Sequence, residues 1–298
     1  MSIREFIVLF VVCLLWGLHF IVMKVTIGGT ADPLFYAALR MSLVAIIMLP
    51  WLKWHKSLML PIIGAGLGYG ALNYAFMFPA LGMTTASAAA ITIELYVPFS
   101  IILSVIVFKD KIGFYKLIGI LLAFIGVIII AAAKPDETAG PYFILGILLM
   151  VGAAMSEAIG AVLVKFVKNV GPLQLLAWFA VIGSCVLWPL SLLLEDKQLD
   201  AFAPENRTAF ILALAYSALL VSIVAHGSYY WLLQRLPIYI VSSTGLMTTV
   251  IAVMASALIL GEALTPHLII GGLVTLGGIG LILARKKQSA DTAPLPLP

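Results

Sequence analysis

Apolar stretches of about 20 residues, the length that carries a helix across a bilayer, follow one another along nearly the whole chain. Ten can be read, at about 5–27, 33–52, 59–80, 85–108, 112–132, 143–164, 172–194, 208–233, 238–260 and 266–284. Short polar breaks rich in Pro, Gly, Lys and Asp separate them. Within each stretch the apolar residues run on without the period-two alternation of a barrel strand. Lipid also offers nothing to a bare backbone group, so the pattern predicts helices. The expectation is an all-α, polytopic membrane protein with ten transmembrane helices. One connection, Glu195 to Arg207, is longer than the rest and acidic.

The pattern also repeats. A shift of 152 lays Ser104 on Ser256, Asp110 on Glu262, Gly119 on Gly271, Gly126 on Gly278 and Lys134 on Lys286. Nearer the start, a shift of about 140 lays Lys24 on Lys165, Pro33 on Pro172 and Pro50 on Pro189, with a two-residue slip between. Two copies follow, residues 1–137 and 138–287, with 288–298 as a Pro-rich disordered tail. Five spans per copy is an odd number, so the second copy is expected upside down relative to the first. Inverted repeats around a midplane site belong to alternating-access carriers.

Charge fixes the expected orientation. Twelve Lys and Arg residues fall on the side of the N-terminus, among them Arg4, Lys53, Lys109, Lys165 and Arg235; three, Lys134, Lys197 and Arg207, fall on the other. That bias puts both termini in the cytoplasm. The chain is 63% hydrophobic and 10% charged, with mean hydropathy +1.17, more apolar surface than a soluble fold can hide. Its pI near 9.0 comes from basic residues placed between spans, not from a stripe that would suit nucleic acid. The first apolar run is too long for a signal h-region. Cys13 and Cys185 give no metal spacing, and no phosphate loop is present. No cofactor is expected.

Charged side chains at membrane depth are expensive and therefore candidates for function. Lys24, Arg40, Glu94 and Glu157 qualify, with His19 and His226 as titratable neighbours. The charged ones are also open to the reading that they pair to hold helices in register. On the first helix Trp16, His19, Phe20, Met23 and Lys24 share an arc of about 140°, either cavity lining or ordinary packing with Lys24 snorkelling outward. Pro98 follows Glu94 by four and lacks the N–H that an α-helix would send to the Glu94 carbonyl. A gating kink with a free carbonyl beside a carboxylate is one outcome, a packing kink the other. The third helix adds Asn73, Tyr74 and Phe78 after four glycines. The eighth carries His226, Tyr229, Tyr230 and Trp231, whose aromatic part also suits an interfacial belt. The ninth offers Ser242, Thr244, Thr248 and Thr249, hydroxyls that commonly bond back to their own helix. The candidate substrate-binding set is thus Trp16, His19, Phe20, Lys24, Tyr74, Phe78, Glu94, Glu157, His226, Tyr230, Trp231, Thr244 and Thr248, with Pro98 at a hinge. The glycine-marked fifth and tenth helices hold no charge at depth and read as scaffold or as a homodimer surface.

Trp16, Gly17, Phe20 and Lys24 on the first helix form one motif. Asp110 and Glu262, each closing a helix about nine residues before a Gly-x6-Gly helix, form another. Together they resemble the EamA family of the drug/metabolite transporter superfamily, over essentially the whole chain. The resemblance implies a ten-helix fold around a central cavity, in a bacterial cytoplasmic membrane. It also implies export of amino acids and related metabolites, whether aromatic, methionine and threonine or cysteine-related. Val250 departs from the pattern, since many relatives have a proline there.

The leading expectation is a secondary carrier exporting small metabolites, most of all amino acids. A zwitterion needs an acid, Glu94 or Glu157, and a base, Lys24 or His19. Efflux of lipophilic cations, held by the acids and by cation–π contacts, is the alternative. An intramembrane enzyme lacks any HExxH, paired aspartyl or Ser/His signal, and a channel lacks filter loops or charge rings.

Overall fold

The protein is described by a computed structural model over residues 1–29, 31–133, 141–233, 235, 236, 240, 241 and 243–284, with side chains except at 28, 29, 230 and 233. Lys134, Ser242, Lys286, the tail 288–298 and the Tyr230 side chain lie outside the described residues.

Helix carries the described residues, and no strand occurs among them. The helices are α1 (Ile3–Gly29), α2 (Pro33–Met48), α3 (Met59–Gly66 and Asn73–Met83, joined by the wide π turns of Leu67–Leu72) and α4 (Ala86–Ile93, then Tyr96–Phe108). There follow α5 (Phe114–Ala131), α6 (Phe143–Val164), α7 (Pro172–Leu194) and α8 (Arg207–Ala215, wide turns at Tyr216–Ala225, then His226–Leu233). Last come α9 (Thr244–Ala255, widening at Ser256–Leu260) and α10 (Pro266–Ala284). Eight of these stretches are long and apolar enough to cross a membrane. The stretch Thr244–Leu260 is apolar but shorter. Glycines and the polar Asn73, Tyr69 and Tyr74 dilute α3.

Local signals set many of the ends. Pro33 and Pro172 open α2 and α7, where a missing N–H costs nothing. The Thr85 hydroxyl accepts from Ala88 N at 3.1 Å and caps α4. Gly261, at φ 68°, closes α9 in the left-handed turn that favours glycine.

The break in α4 corrects one expectation. Glu94 N and Leu95 N turn back three residues, to Ile91 O and Thr92 O, and Val97 N donates to Glu94 O at 3.1 Å. The Glu94 carbonyl is therefore not free. Pro98 does forbid the i to i+4 bond, but the chain tightens into i to i+3 turns and satisfies the carbonyl one residue early. A fresh α-helix then starts at Tyr96.

Helices pair mostly across the two halves of the chain. The chief partner of α5 is α10, and the other main pairs are α2 with α7, α3 with α6 and α1 with α9. The α5–α10 contact is a seam of bare backbone. A Cβ on Gly126 would lie 2.4 Å from Gly271 O, and one on Gly119 would lie 2.6 Å from Gly278 O. Only hydrogen fits, and dispersion between close backbones holds such helices together in lipid. The glycine faces of α5 and α10 are thus spent on each other inside one chain. Leu60, Leu193, Leu258 and Leu273 point outward and are exposed. The largest buried cluster, with Phe20, Met23, Phe35, Tyr36, Phe78 and Phe210, fills the space between α1, α2, α3 and α8.

Candidate functional site

Polar side chains gather at mid-helix, where α1, α2, α3, α4, α6, α8 and α9 come together. Two carboxylates are central. Glu94, at the break in α4, is buried and accepts from Thr249 Oγ1 at 3.0 Å. A Cβ on Gly245 would lie only 3.1 Å from both Glu94 carboxylate oxygens, so the first turn of α9 fits around the acid. Glu157, on α6, accepts from Asn73 Nδ2 at 3.2 Å, and the same nitrogen donates to Ala153 O at 3.0 Å. Among the described residues, no lysine or arginine is bonded to either acid.

A second group lies across α1, α2 and α8. His19 Nε2 meets Ser217 Oγ at 3.1 Å, and Ser217 Oγ meets the Tyr36 hydroxyl at 2.5 Å. Tyr36 also reaches Ala213 O at 2.8 Å. Ser222 Oγ takes the Nε and Nη2 of Arg40, at 3.2 and 3.0 Å, and donates to Ser217 O at 2.9 Å. The wide turns of α8 place Ser217 and Ser222 on one face. The Arg40 guanidinium lies 4.9 Å from the centre of the Tyr74 ring and 6.0 Å from that of Phe78.

Aromatic rings join the two groups. Trp16 packs at 5.2 Å against both His226 and Tyr229, and Tyr74 meets Phe78 edge-on at 5.3 Å. Among the described residues, the indole nitrogen of Trp16 is buried without a hydrogen-bond partner.

Several predicted site residues meet here: Trp16, His19, Tyr74, Phe78, Glu94, Glu157, His226 and Thr248. Phe20 is buried in the adjoining core. Others lie apart. Lys24 Nζ donates to Leu81 O at 2.9 Å and Thr84 O at 2.6 Å, closing the C-terminal end of α3, a good place for a cation. Trp231 stacks with Arg4 and Arg235 near the chain's N-terminal side, at 5.4 and 4.3 Å. The Thr244 hydroxyl bonds back to Val241 O. Pro98 sits in the second half of α4, below the break. The sequence reading missed Tyr36, Ser217 and Ser222 altogether, because lone hydroxyls on an apolar helix carry no signal. It noted Asn73 and Thr249 without placing them at the acids.

The two repeat-matched acids, Glu262 and Asp110, are in unlike states. Glu262 is buried and clamps the start of α4: Ala86 N donates at 2.6 Å, Ser87 N at 3.0 Å and Ser87 Oγ at 2.7 Å. Ser256 Oγ bonds Ser87 Oγ beside it. Asp110 is exposed and accepts from Ser104 Oγ at 2.6 Å, while Lys165 Nζ reaches Ser104 Oγ at 3.1 Å.

Comparison with known proteins agrees with this architecture. A probable amino-acid metabolite efflux pump of Salmonella typhimurium is 30% identical over 288 residues, covering 94% of each chain. One of the same description from Escherichia coli is 28% identical, again over 94% of each. A solved crystal structure superposes with a TM-score of 0.63 over 97% of this chain and 100% of its own, at 16% identity, a likeness of fold alone. Residues 3–132 and 144–284 match the EamA-like transporter family, and this multi-pass membrane protein belongs to it.

Proposed function

We propose that the protein is a secondary transporter that exports small metabolites, chiefly amino acids, across a bacterial cytoplasmic membrane by alternating access. In this reading ten helices cross the bilayer as two inverted five-helix repeats, with both termini in the cytoplasm. The cross-half pairing supports it, because α1 on α9 and α4 on α6 exchange when the halves are exchanged. So does the match of the family to both halves, and the description of the relatives as amino-acid metabolite efflux pumps supports the substrate class.

The observation that carries the proposal is the pair of buried mid-helix acids, Glu94 and Glu157, whose side-chain partners among the described residues are the neutral Thr249 and Asn73. A carboxylate at that depth costs at least about 2.5 kcal/mol. A substrate ammonium or a coupling proton offsets that cost in turn. Alternation then works through the clamps. With Glu262 engaged and Asp110 exposed, the outer end is shut and the cytoplasmic end is available to substrate. The opposite state engages Asp110.

The test is uptake by purified protein in liposomes, over a panel of amino acids, with and without a pH gradient. Saturable transport that Glu94→Gln deprives of its pH-gradient drive is expected. Failure to move any amino acid overturns the reading. The same unpaired acids among aromatic rings favour one rival, efflux of lipophilic cations. Movement of cationic dyes in place of amino acids would select it.

A further inference from the structure

We propose that Arg40 is the carboxylate-binding group of the transport site, so that the substrate carries a free carboxylate at its end opposite the amine. This rests on the carrier reading above and narrows it. Arg40 is 2% exposed and sits midway along α2. Its Nε and Nη2 are both used on the Ser222 hydroxyl, a neutral acceptor. Its Nη1 is buried and has no hydrogen-bond partner among the described residues. No carboxylate pairs with it among the described residues. A guanidinium is always charged, and burying it with neither a counter-charge nor a full set of acceptors is unfavourable. A purely structural arginine would have its fork filled. Here Ser222 fixes the plane of the fork and the Tyr74 ring supports its face, while both N–H groups of Nη1 find no acceptor among the described residues.

The placement of the acids completes the argument. Asn73 bonds Glu157, and the next residue, Tyr74, lies against Arg40. Consecutive residues on a helix diverge by about 100°, so one turn of α3 serves the anionic group on one side and the cationic group on the other. The proposed ligand spans that turn, its two ends meeting groups of opposite charge. Lys24, the other base expected at depth, is committed to the carbonyls of Leu81 and Thr84. The matching ligand is an α-amino acid, its ammonium toward Glu94 and Glu157 and its carboxylate on Nη1 of Arg40.

The experiment compares three ligands of one side chain in liposomes holding the wild-type protein: the amino acid, its methyl ester and the corresponding carboxylic acid lacking the amine. Arg40→Lys, which keeps the charge but loses the fork, and Arg40→Gln are measured alongside. The expected result is wild-type preference for the amino acid over its ester by about tenfold or more, the loss expected for one charge-assisted hydrogen bond. In either variant that folds, the preference should collapse through weaker use of the acid, with the ester little changed. Equal use of amino acid and ester by the wild type overturns the role of Arg40 and leaves the carrier reading standing. So does a folded variant that keeps the preference. Transport of the bare carboxylic acid but of no amine overturns amino-acid export and leaves Arg40 standing. Transport of none of the three overturns both. The wild-type comparison can overturn the role of Arg40 even if neither variant folds.

Discussion

On the proposed orientation, replacing Glu262 with Gln measures how firmly the outer end of the protein is held. The carboxylate takes three hydrogen bonds from the first turn of α4, two from backbone N–H groups and one from the Ser87 hydroxyl. Gln keeps one acceptor oxygen and turns an NH2 toward a donor, so at least one buried donor is stranded, at about 1–3 kcal/mol. Removing negative charge from a helix N-terminus adds roughly 0.3–2 kcal/mol. The two together weaken the closed end by roughly 1.3–5 kcal/mol, a shift in the closed-to-open ratio of about 10- to 5,000-fold. Ala90, one turn below the clamp and buried, reports it when changed to Cys in a chain whose Cys13 and Cys185 have been replaced. Labelling from outside by a membrane-impermeant thiol reagent should accelerate by that factor in the Glu262→Gln protein. Equal labelling rates in two folded proteins would show that the clamp does not hold the end shut, and the alternating-access scheme built on it would fall.

Two further outcomes follow from single contacts. Gly245→Ala tests the fit of α9 around Glu94. The added Cβ presses on both Glu94 oxygens at 3.1 Å, so substrate affinity in a liposome assay should fall severalfold; unchanged affinity would place Glu94 outside the site. Glu195, in the loop after α7, accepts from Leu34 N at 2.6 Å and Phe35 N at 2.8 Å, and burial outweighs those bonds to raise its carboxyl above the ordinary value of 4.5. A raised acid binds its proton more tightly in the folded state, so its contribution to stability is full below 4.5 and is lost as pH rises through the folded value. Unfolding followed across that window should show wild type losing stability relative to Glu195→Gln; a parallel pair of curves refutes it.

Much of the fold was legible because Pro and Gly punctuate it. The expected spans 143–164, 172–194 and 266–284 coincide with Phe143–Val164, Pro172–Leu194 and Pro266–Ala284. The interior of the spans was less legible, for a physical reason. Lipid-facing and core-facing positions are both apolar, so hydrophobic periodicity cannot tell one face of a helix from another. Ser217 and Ser222 show the consequence. At 100° per residue they lie about 140° apart, yet the wide turns of Tyr216–Ala225 bring them together beneath Arg40. The break at Glu94 was hidden in the same way, because the Pro98 argument assumed an unbroken α-helix. Arg40 was visible as a costly charge, but sequence could not show that its fork is left partly empty. Lys24 was drawn toward the site by its neighbours Trp16 and Phe20, and only the position of the α3 carbonyls reveals where it is spent.

The glycine seam bears on how the chain is made. Its bonded pair, Thr275 to Ala123, joins residues 152 positions apart. At a synthesis rate of about 5–20 residues per second, α5 must wait roughly 8–30 seconds in the membrane before α10 emerges. Through that interval its groove of unclad backbone has no partner, and any passing helix with small residues can occupy it. A chain that stops short of α10 therefore leaves the ribosome with an adhesive surface rather than a harmless gap. Cellular quality control would meet such fragments as aggregation-prone intermediates, and the fate of α5 is decided by the arrival of α10.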